Sequence, residues 1–188
     1  MAGARLRRTA EDRLPGDPTA AALVEAMIRV DHAGEYGAKR IYDGQLAVLG
    51  AGPDAEAVRH MAEQERRHLE RFDRLVVERR VRPTLLAPVW HAAGFALGAA
   101  TAMLGPKAAM ACTEAVESVI DEHYARQAAK LGEDEAPLRA TIEEFRAEEV
   151  QHKETAQALG AAEAPAYEAL SGAVKAATRL AIWLSTRV

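Results

Sequence analysis

Six ionisable residues fall at helix positions that should be apolar, and they do so in a repeated order. Glycine and proline divide the chain into stretches of 3.6-residue periodicity with no alternating strand pattern, so the expected class is all-α. Helices are predicted over residues 19–49, 54–82, 107–131, 135–159 and 165–186. The first is capped by Asp17 or Thr19 and stopped by Gly50-Ala51-Gly52-Pro53. On that helix Glu35 shares a face with Ile28, Ala38, Tyr42, Leu46 and Leu49. On the second, Glu65 and His68 stand three residues apart on a stripe with Val58, Met61, Phe72 and Leu75. The third places Glu117 among Met110, Thr113, Ile120 and Tyr124, and the fourth sets Glu149 and His152 between Ile142, Phe145, Ala156 and Leu159.

Neighbouring acids give an internal control. Glu63 shares its face with Glu56, Arg59, Arg66, Arg67 and Glu70, and Glu148 with Thr141, Glu144, Gln151 and Thr155, so both are expected to be ordinary solvated acids. The buried set is repeated: Glu35 precedes Glu65-x-x-His68 by 30 residues and Glu117 precedes Glu149-x-x-His152 by 32. Two helical hairpins therefore supply four carboxylates and two imidazoles to one interior. Burying an unpaired carboxylate costs on the order of several kcal/mol, and no Lys or Arg lies on these stripes to compensate. Two divalent cations balance the four charges, and one imidazole for each completes a hard oxygen and nitrogen ligand set suited to iron or manganese. The arrangement resembles the dimetal carboxylate site of ferritin-like four-helix bundles with one long crossover.

The crossover itself, residues 83–106, has no formally charged side chain and is interrupted by Pro88, Gly94 and Gly98. Its expected form is a set of broken helices that dip into one membrane leaflet or cover an apolar cavity, the alternative being a crossover buried in a soluble core. The last helix repeats Tyr167, Leu170, Val174, Ala177, Ala181, Leu184 and Val188 on one stripe, with Trp183 and Arg187 suited to a membrane interface. Packing of this stripe on the bundle is the alternative.

The length of 188 residues fits one domain, residues 19–188, and excludes a large multidomain enzyme. A formal charge of −4, with both signs mixed along the chain, offers no basic field, so nucleic acid is not an expected partner. The single cysteine, Cys112, excludes an internal disulfide or zinc ribbon and reads as a small core residue. Residues 1–18 carry several arginines but also Glu11 and Asp12, and lack the apolar core of a secretory signal; a disordered arm of a bacterial-type cytoplasmic chain is expected. Gly50-Ala-Gly52 lacks the preceding strand that a dinucleotide-binding loop needs and reads as a turn. His32, His60 and His91 receive no role.

At the ligand residues the chain resembles the demethoxyubiquinone hydroxylase family, the di-iron monooxygenases of ubiquinone biosynthesis. The resemblance rests on RVDHAGEYGA from Arg29 to Ala38, AMACT from Ala109 to Thr113, AVE from Ala115 to Glu117, His123-Tyr124, and APAY from Ala164 to Tyr167. It covers nearly everything after Pro18. It implies that Glu35, Glu65, His68, Glu117, Glu149 and His152 hold two iron ions, with Glu65 and Glu149 bridging. It also implies that His123 and Tyr124 lie near the quinone or its electron route, a satisfied buried His-Tyr pair being the alternative. One departure is Ser118, where family members often carry a second acid beside the equivalent of Glu117.

The activity so implied is O2-dependent hydroxylation of the ring of a polyprenylated demethoxyubiquinol, with NADH or a separate reductase as the electron source. The implied setting is the membrane surface, peripheral on the cytoplasmic side in bacteria, or the matrix side of the mitochondrial inner membrane. A lipid-binding protein of the same pathway or a homo-oligomer is the expected partner. Two other readings use the same residues: a ferritin-like peroxidase or iron-storing oxidase, which needs neither apolar segment, and a non-catalytic helical scaffold attached to membrane, whose buried acids are neutral.

Overall fold

Thr19 starts the first helix with its side chain: Oγ1 accepts from the Ala22 N–H at 3.0 Å, satisfying one of the donors a helix start leaves free. In the computed structural model, which describes residues 16–188, this helix, α1, spans Ala20–Leu49. It stops at Gly50, whose φ of 66° suits a residue without a Cβ. Pro53 then opens α2, Pro53–Glu78, with Asp54 and Glu56 in the first turn, where acids favour the helix dipole. The Gly50–Gly52 stretch is thus the turn of a helical hairpin, as its sequence indicates. All but the last three residues of the arm expected over 1–18 lie outside the described residues.

A third helix, α3, Ala87–Met103, crosses over to the second hairpin, made of α4, Pro106–Ala128, and α5, Ala136–Ala158. The last helix, α6, is Tyr167–Ser185. Short 3-10 turns at Glu133–Glu135 and Ala161–Glu163 complete the regular structure, which among the described residues is helical throughout. The all-helical class expected from periodicity is the one observed.

The crossover departs from expectation in one respect. Residues 87–103 form a single unbroken helix rather than broken pieces, because the glycines serve contact and not interruption. A Cβ at Gly98 would stand 1.9 Å from the Ile41 carbonyl oxygen, and one at Gly94 would stand 2.9 Å from that of Gly37. From the opposite side, a Cβ at Gly44 would meet the Phe95 carbonyl oxygen at 2.2 Å. Backbones of α1 and α3 approach too closely for side chains, so glycine is required at these positions. The helix lies along the outside of α1; Val89 and Met103 are exposed, at 51% and 76%, so it is not a buried crossover.

Two apolar clusters sandwich the bundle centre. Tyr42, Val58, Met61, Met110 and Ala156 fill one end, and Ile28, Phe72, Leu75, Ile142 and Phe145 the other. Each fully buried aliphatic or phenyl side chain stabilises by about 1.5–3 kcal/mol, which offsets the desolvation of the acids held between the clusters. On α6, Ser171 and Val174 are buried and Tyr167 and Leu170 pack inward, whereas Leu180 and Trp183 turn outward with Arg187 stacked on the Trp183 ring at 4.2 Å. Among the described residues no helix is long and apolar enough to cross a membrane.

Candidate metal centre

The two hairpins bring all six repeated residues to one point between the apolar clusters. Glu35 comes from α1, Glu65 and His68 from α2, Glu117 from α4, and Glu149 and His152 from α5; each is 0–2% exposed. Their donor atoms form two overlapping quartets, Glu35–Glu65–His68–Glu149 and Glu65–Glu117–Glu149–His152, with the atoms of each within 4.8 Å of one another. Glu65 and Glu149 belong to both. The spacing of three within each Glu-x-x-His puts its carboxylate and imidazole on one helix face.

Tyrosines cap the unshared acids crosswise. Tyr42 of α1 donates to Glu117 Oε1 of α4 at 2.8 Å, and Tyr124 of α4 donates to Glu35 Oε1 of α1. Both phenols are held well above their ordinary range, first by burial and then by the surrounding carboxylates, so both stay protonated donors. The imidazoles are capped crosswise as well. His68 Nε2 lies 3.0 Å from Glu148 Oε2, and His152 Nε2 lies 3.1 Å from Gln64 Oε1. Stacking on Phe145, with centroids 3.9 Å apart, fixes the His68 ring further.

These outer contacts turn Nδ1 of both imidazoles inward. His68 Nδ1 stands 3.1 Å from Glu149 Oε1 and 3.3 Å from Glu35 Oε2. Burial opposes charge on His68, but the Glu149 and Glu35 carboxylates outweigh it and push the imidazole up to about 12. His152 is pushed up to about 11 in the same way by Glu149 and Glu65, against the opposing effect of burial. Burial, and then the charge of Glu149, raises Glu65 and Glu117 well above the ordinary carboxyl range. Glu149 goes the other way: burial opposes its charge, yet hydrogen bonds from His152 and His68 bring it down to about 2.

Whether such a centre suits a metal can be read from atoms left without partners. Both oxygens of Glu65 and Glu117 Oε2 are buried and make no hydrogen bond. Buried polar atoms are seldom left this way, and here they converge between two quartets of hard donors. The donor set fits divalent cations of the iron or manganese kind, with Glu65 and Glu149 common to both quartets.

Glu148 corrects the facial reading. Its side chain is only 19% exposed and accepts from His68, Gln64 and Arg67, so it is not an ordinary solvated acid. The helical wheel of α5 alone assigns Glu148 to the outer face, but α2 covers that flank. Glu63 remains an exposed acid, paired with Arg66. Ser118 Oγ donates back to the Glu114 carbonyl at 2.7 Å and does not join the centre's hydrogen bonds.

Beside the centre, His123 Nε2 lies 3.1 Å from Asp31 Oδ1, which also accepts from Gln127 Nε2 at 2.8 Å. Asp31 is fully buried and its carboxyl is raised, chiefly by burial. An apolar groove of about 150 Å³ runs along the outside of α1 and α4 under α3 and α6. Gly34 and Ala38 line it on either side of Glu35 in sequence, and Val116 and Ile120 line it from α4. His123 continues the Val116–Ile120 stripe. Cys112 is fully buried, and burial pushes its thiol up to about 12, which keeps it inert. His32 pairs with Asp73 at 3.0 Å and His91 with the Tyr36 hydroxyl at 2.6 Å, contacts that tie α1 to α2 and α3.

Sequence reasoning passed over Tyr42, Gln64, Glu148, Asp31 and Gln127 as parts of the centre. A signal was available in the repeat. Tyr42 and Tyr124 each follow their lone Glu by seven residues, Gln45 and Gln127 by ten, and Gln64 and Glu148 each immediately precede the Glu of a Glu-x-x-His. Gln45 Nε2 donates to Thr113 Oγ1 at 3.2 Å as Gln127 donates to Asp31, so the repeat carries the outer contacts along with the centre.

Comparison with known proteins places the chain among relatives of one family. The family model described as ubiquinone biosynthesis protein COQ7 matches residues 22–185. A Rhodospirillum rubrum protein named 3-demethoxyubiquinol 3-hydroxylase is 61% identical over 183 residues, covering 97% of this chain and 86% of its own. A Dictyostelium discoideum protein named NADPH-dependent 3-demethoxyubiquinone 3-hydroxylase, mitochondrial, is 49% identical, covering 88% of this chain and 78% of its own. A Homo sapiens protein of the same name is 47% identical, covering 92% and 81%.

Proposed function

Since the chain belongs to the ubiquinone biosynthesis protein COQ7 family, we propose that it is an O2-dependent monooxygenase that hydroxylates the ring of 3-demethoxyubiquinol to give 3-demethylubiquinol. Glu35, Glu65, His68, Glu117, Glu149 and His152 would hold two iron ions, with Glu65 and Glu149 shared between them. Bound iron would supply the reduction of O2 that places one oxygen atom on the ring. The protein supplies the rest: Tyr42 and Tyr124 hold Glu117 and Glu35 in place, Glu148 and Gln64 orient the imidazoles, and the apolar clusters keep water out.

The observation that carries this reading over a peroxidase or a scaffold is the apolar groove that α1 and α4, two of the helices bearing candidate ligands, form with α3 and α6. It is lined by Gly34, Gly37, Val116, Leu97 and Ala181, and suits a prenyl chain leading a quinol ring toward the centre. His123, on the same stripe of α4 as the groove, and Tyr124 lie on the path of the ring and its electrons. A reduced nicotinamide nucleotide is the electron source, acting through the quinone or a separate reductase. Exposed Val89, Met103, Leu104, Leu180 and Trp183 on α3, the turn after it and α6 support peripheral attachment to the cytoplasmic face of a membrane, where such a substrate resides.

The test is direct. Ferrous-loaded protein given prenylated 3-demethoxyubiquinol, a reductant and 18O2 should yield 3-demethylubiquinol carrying one labelled oxygen, and cells without the protein should accumulate demethoxyubiquinone. A normal quinone profile together with peroxide sensitivity would favour the peroxidase. Iron-free protein from iron-replete cells would favour the scaffold.

A further inference from the structure

The centre is built almost symmetrically, and two of its departures from symmetry lie among the hydrogen-bonding side chains beside the candidate ligands. Glu35 and Tyr42 on α1 match Glu117 and Tyr124 on α4, and the Glu-x-x-His of α2 matches that of α5. The residue preceding each Glu-x-x-His reaches across to the imidazole of the other helix, but on α2 it is Gln64 and on α5 it is Glu148. One turn before the lone acids the pair is Asp31 and Thr113. Both departures add a carboxyl group to the half that contains Glu35 and His68.

The same outer residues are joined to one another. His152 Nε2 donates to Gln64 Oε1 at 3.1 Å, Gln64 Nε2 donates to Glu148 Oε2 at 3.0 Å, and that same oxygen lies 3.0 Å from His68 Nε2 and 3.2 Å from Arg67 Nη2. A continuous arc therefore links the outer nitrogens of both imidazoles and reaches the surface at Arg67. Its two ends differ in kind. A carboxylate that accepts an imidazole N–H makes the inner nitrogen a stronger donor than an amide oxygen does, and fixes the ring in one tautomer.

We propose that Glu148 is a positioning residue that acts through His68 to make the two metal sites unequal, the site of Glu35 and His68 binding its ion more tightly and favouring the oxidised state. Gln64 does the reverse for the site of Glu117 and His152, leaving it the more readily reduced and the more readily emptied. The inference rests on the metal reading given under the proposed function. It differs from that reading in assigning the ions different properties, and not merely in requiring them.

The experiment uses the whole protein and 57Fe(II). Anaerobic titration followed by Mössbauer spectroscopy should show two quadrupole doublets in the wild type, filling in sequence rather than together. Glu148→Gln should shift one doublet toward the other and weaken the tighter step by about 10–100-fold, the range typical for loss of an outer carboxylate on a ligand histidine. Glu148→Asp should restore part of the difference. The exchange Gln64→Glu with Glu148→Gln should restore inequality with the other doublet filling first. A merely structural role would weaken both steps alike and leave the doublets' separation unmoved, which would overturn the proposal, as would identical doublets in the wild type. Wild-type protein that takes up no iron would overturn the metal reading itself, a different result from uptake of two equivalent ions. Circular dichroism and Tm on each variant separate misfolding from these outcomes, and Glu148→Asp, compared with the wild type, supplies the same test if Glu148→Gln fails to fold.

Discussion

The Tyr42 hydroxyl on α1 donates to Glu117 on α4 across 2.8 Å, between two helices that belong to different hairpins. Glu117 Oε2 makes no hydrogen bond, so Tyr42 makes one of the few polar contacts the carboxyl group possesses. Removing it with Tyr42→Phe leaves a buried acceptor unsatisfied, a change that costs about 1–3 kcal/mol. The metal-free protein should therefore melt several degrees lower, and the iron-loaded protein should lose less, because a cation takes over the orphaned acid. Calorimetric Tm values with and without Fe(II) measure the difference.

Sharing separates the six candidate ligands. Glu149 belongs to both quartets and His152 to one, so Glu149→Ala should remove both ions and His152→Ala should leave no stable pair. Glu63→Ala should keep full iron content, because Glu63 is exposed and paired with Arg66. Metal analysis after desalting decides this. Retained iron in Glu149→Ala would disqualify the quartets as ligand sets.

Protons occupy the centre when metal does not. His68 and His152 are raised to about 12 and 11, and Glu65 and Glu117 stand well above the carboxyl range, so the metal-free centre holds several protons at neutral pH. An ion must displace them, and affinity for Fe(II) should fall as pH falls and rise as it rises. Titration calorimetry in buffers of different ionisation enthalpy should register more than one proton released per ion. An affinity flat between about pH 6 and 8 would contradict the charge arrangement.

Close approach of α1 and α3 predicts intolerance at Gly98. Even Gly98→Ala places a Cβ 1.9 Å from the Ile41 carbonyl oxygen, a clash with backbone that no rotamer relieves. Overpacking of this kind costs about 1–3 kcal/mol or more, and urea unfolding should show a lower midpoint with an unchanged slope.

Gly37 gives the opposite result. A Cβ there meets nothing within 4 Å, and the residue lines the groove, so Gly37→Phe should fold, keep its iron and fill the space proposed for the prenyl chain. Turnover of long-tailed quinol should drop sharply, with a smaller loss for a short-tailed analogue. Equal loss on both substrates would argue that the tail lies elsewhere.

The helices and the six candidate ligands were legible because both obey a period. Acids set on helix stripes that are otherwise mostly apolar have to be buried, and the repeat of Glu35, Glu65 and His68 as Glu117, Glu149 and His152 requires them to meet. Periodicity within one helix says which face points inward but not what a neighbouring helix lays over its flanks. Glu148 shows this: α5 alone assigns it to solvent, and only the approach of α2 delivers His68, Gln64 and Arg67 to its carboxylate. Gly94 and Gly98 look like helix breakers along the chain, and become the contact that holds α3 continuous against α1 once the two backbones are side by side. The linear order determined the fold class and the chemistry of the centre, because burial of charge is set by position along a helix. Only tertiary packing decided how the two halves of that centre differ, because the difference lies in contacts between helices that are distant in sequence.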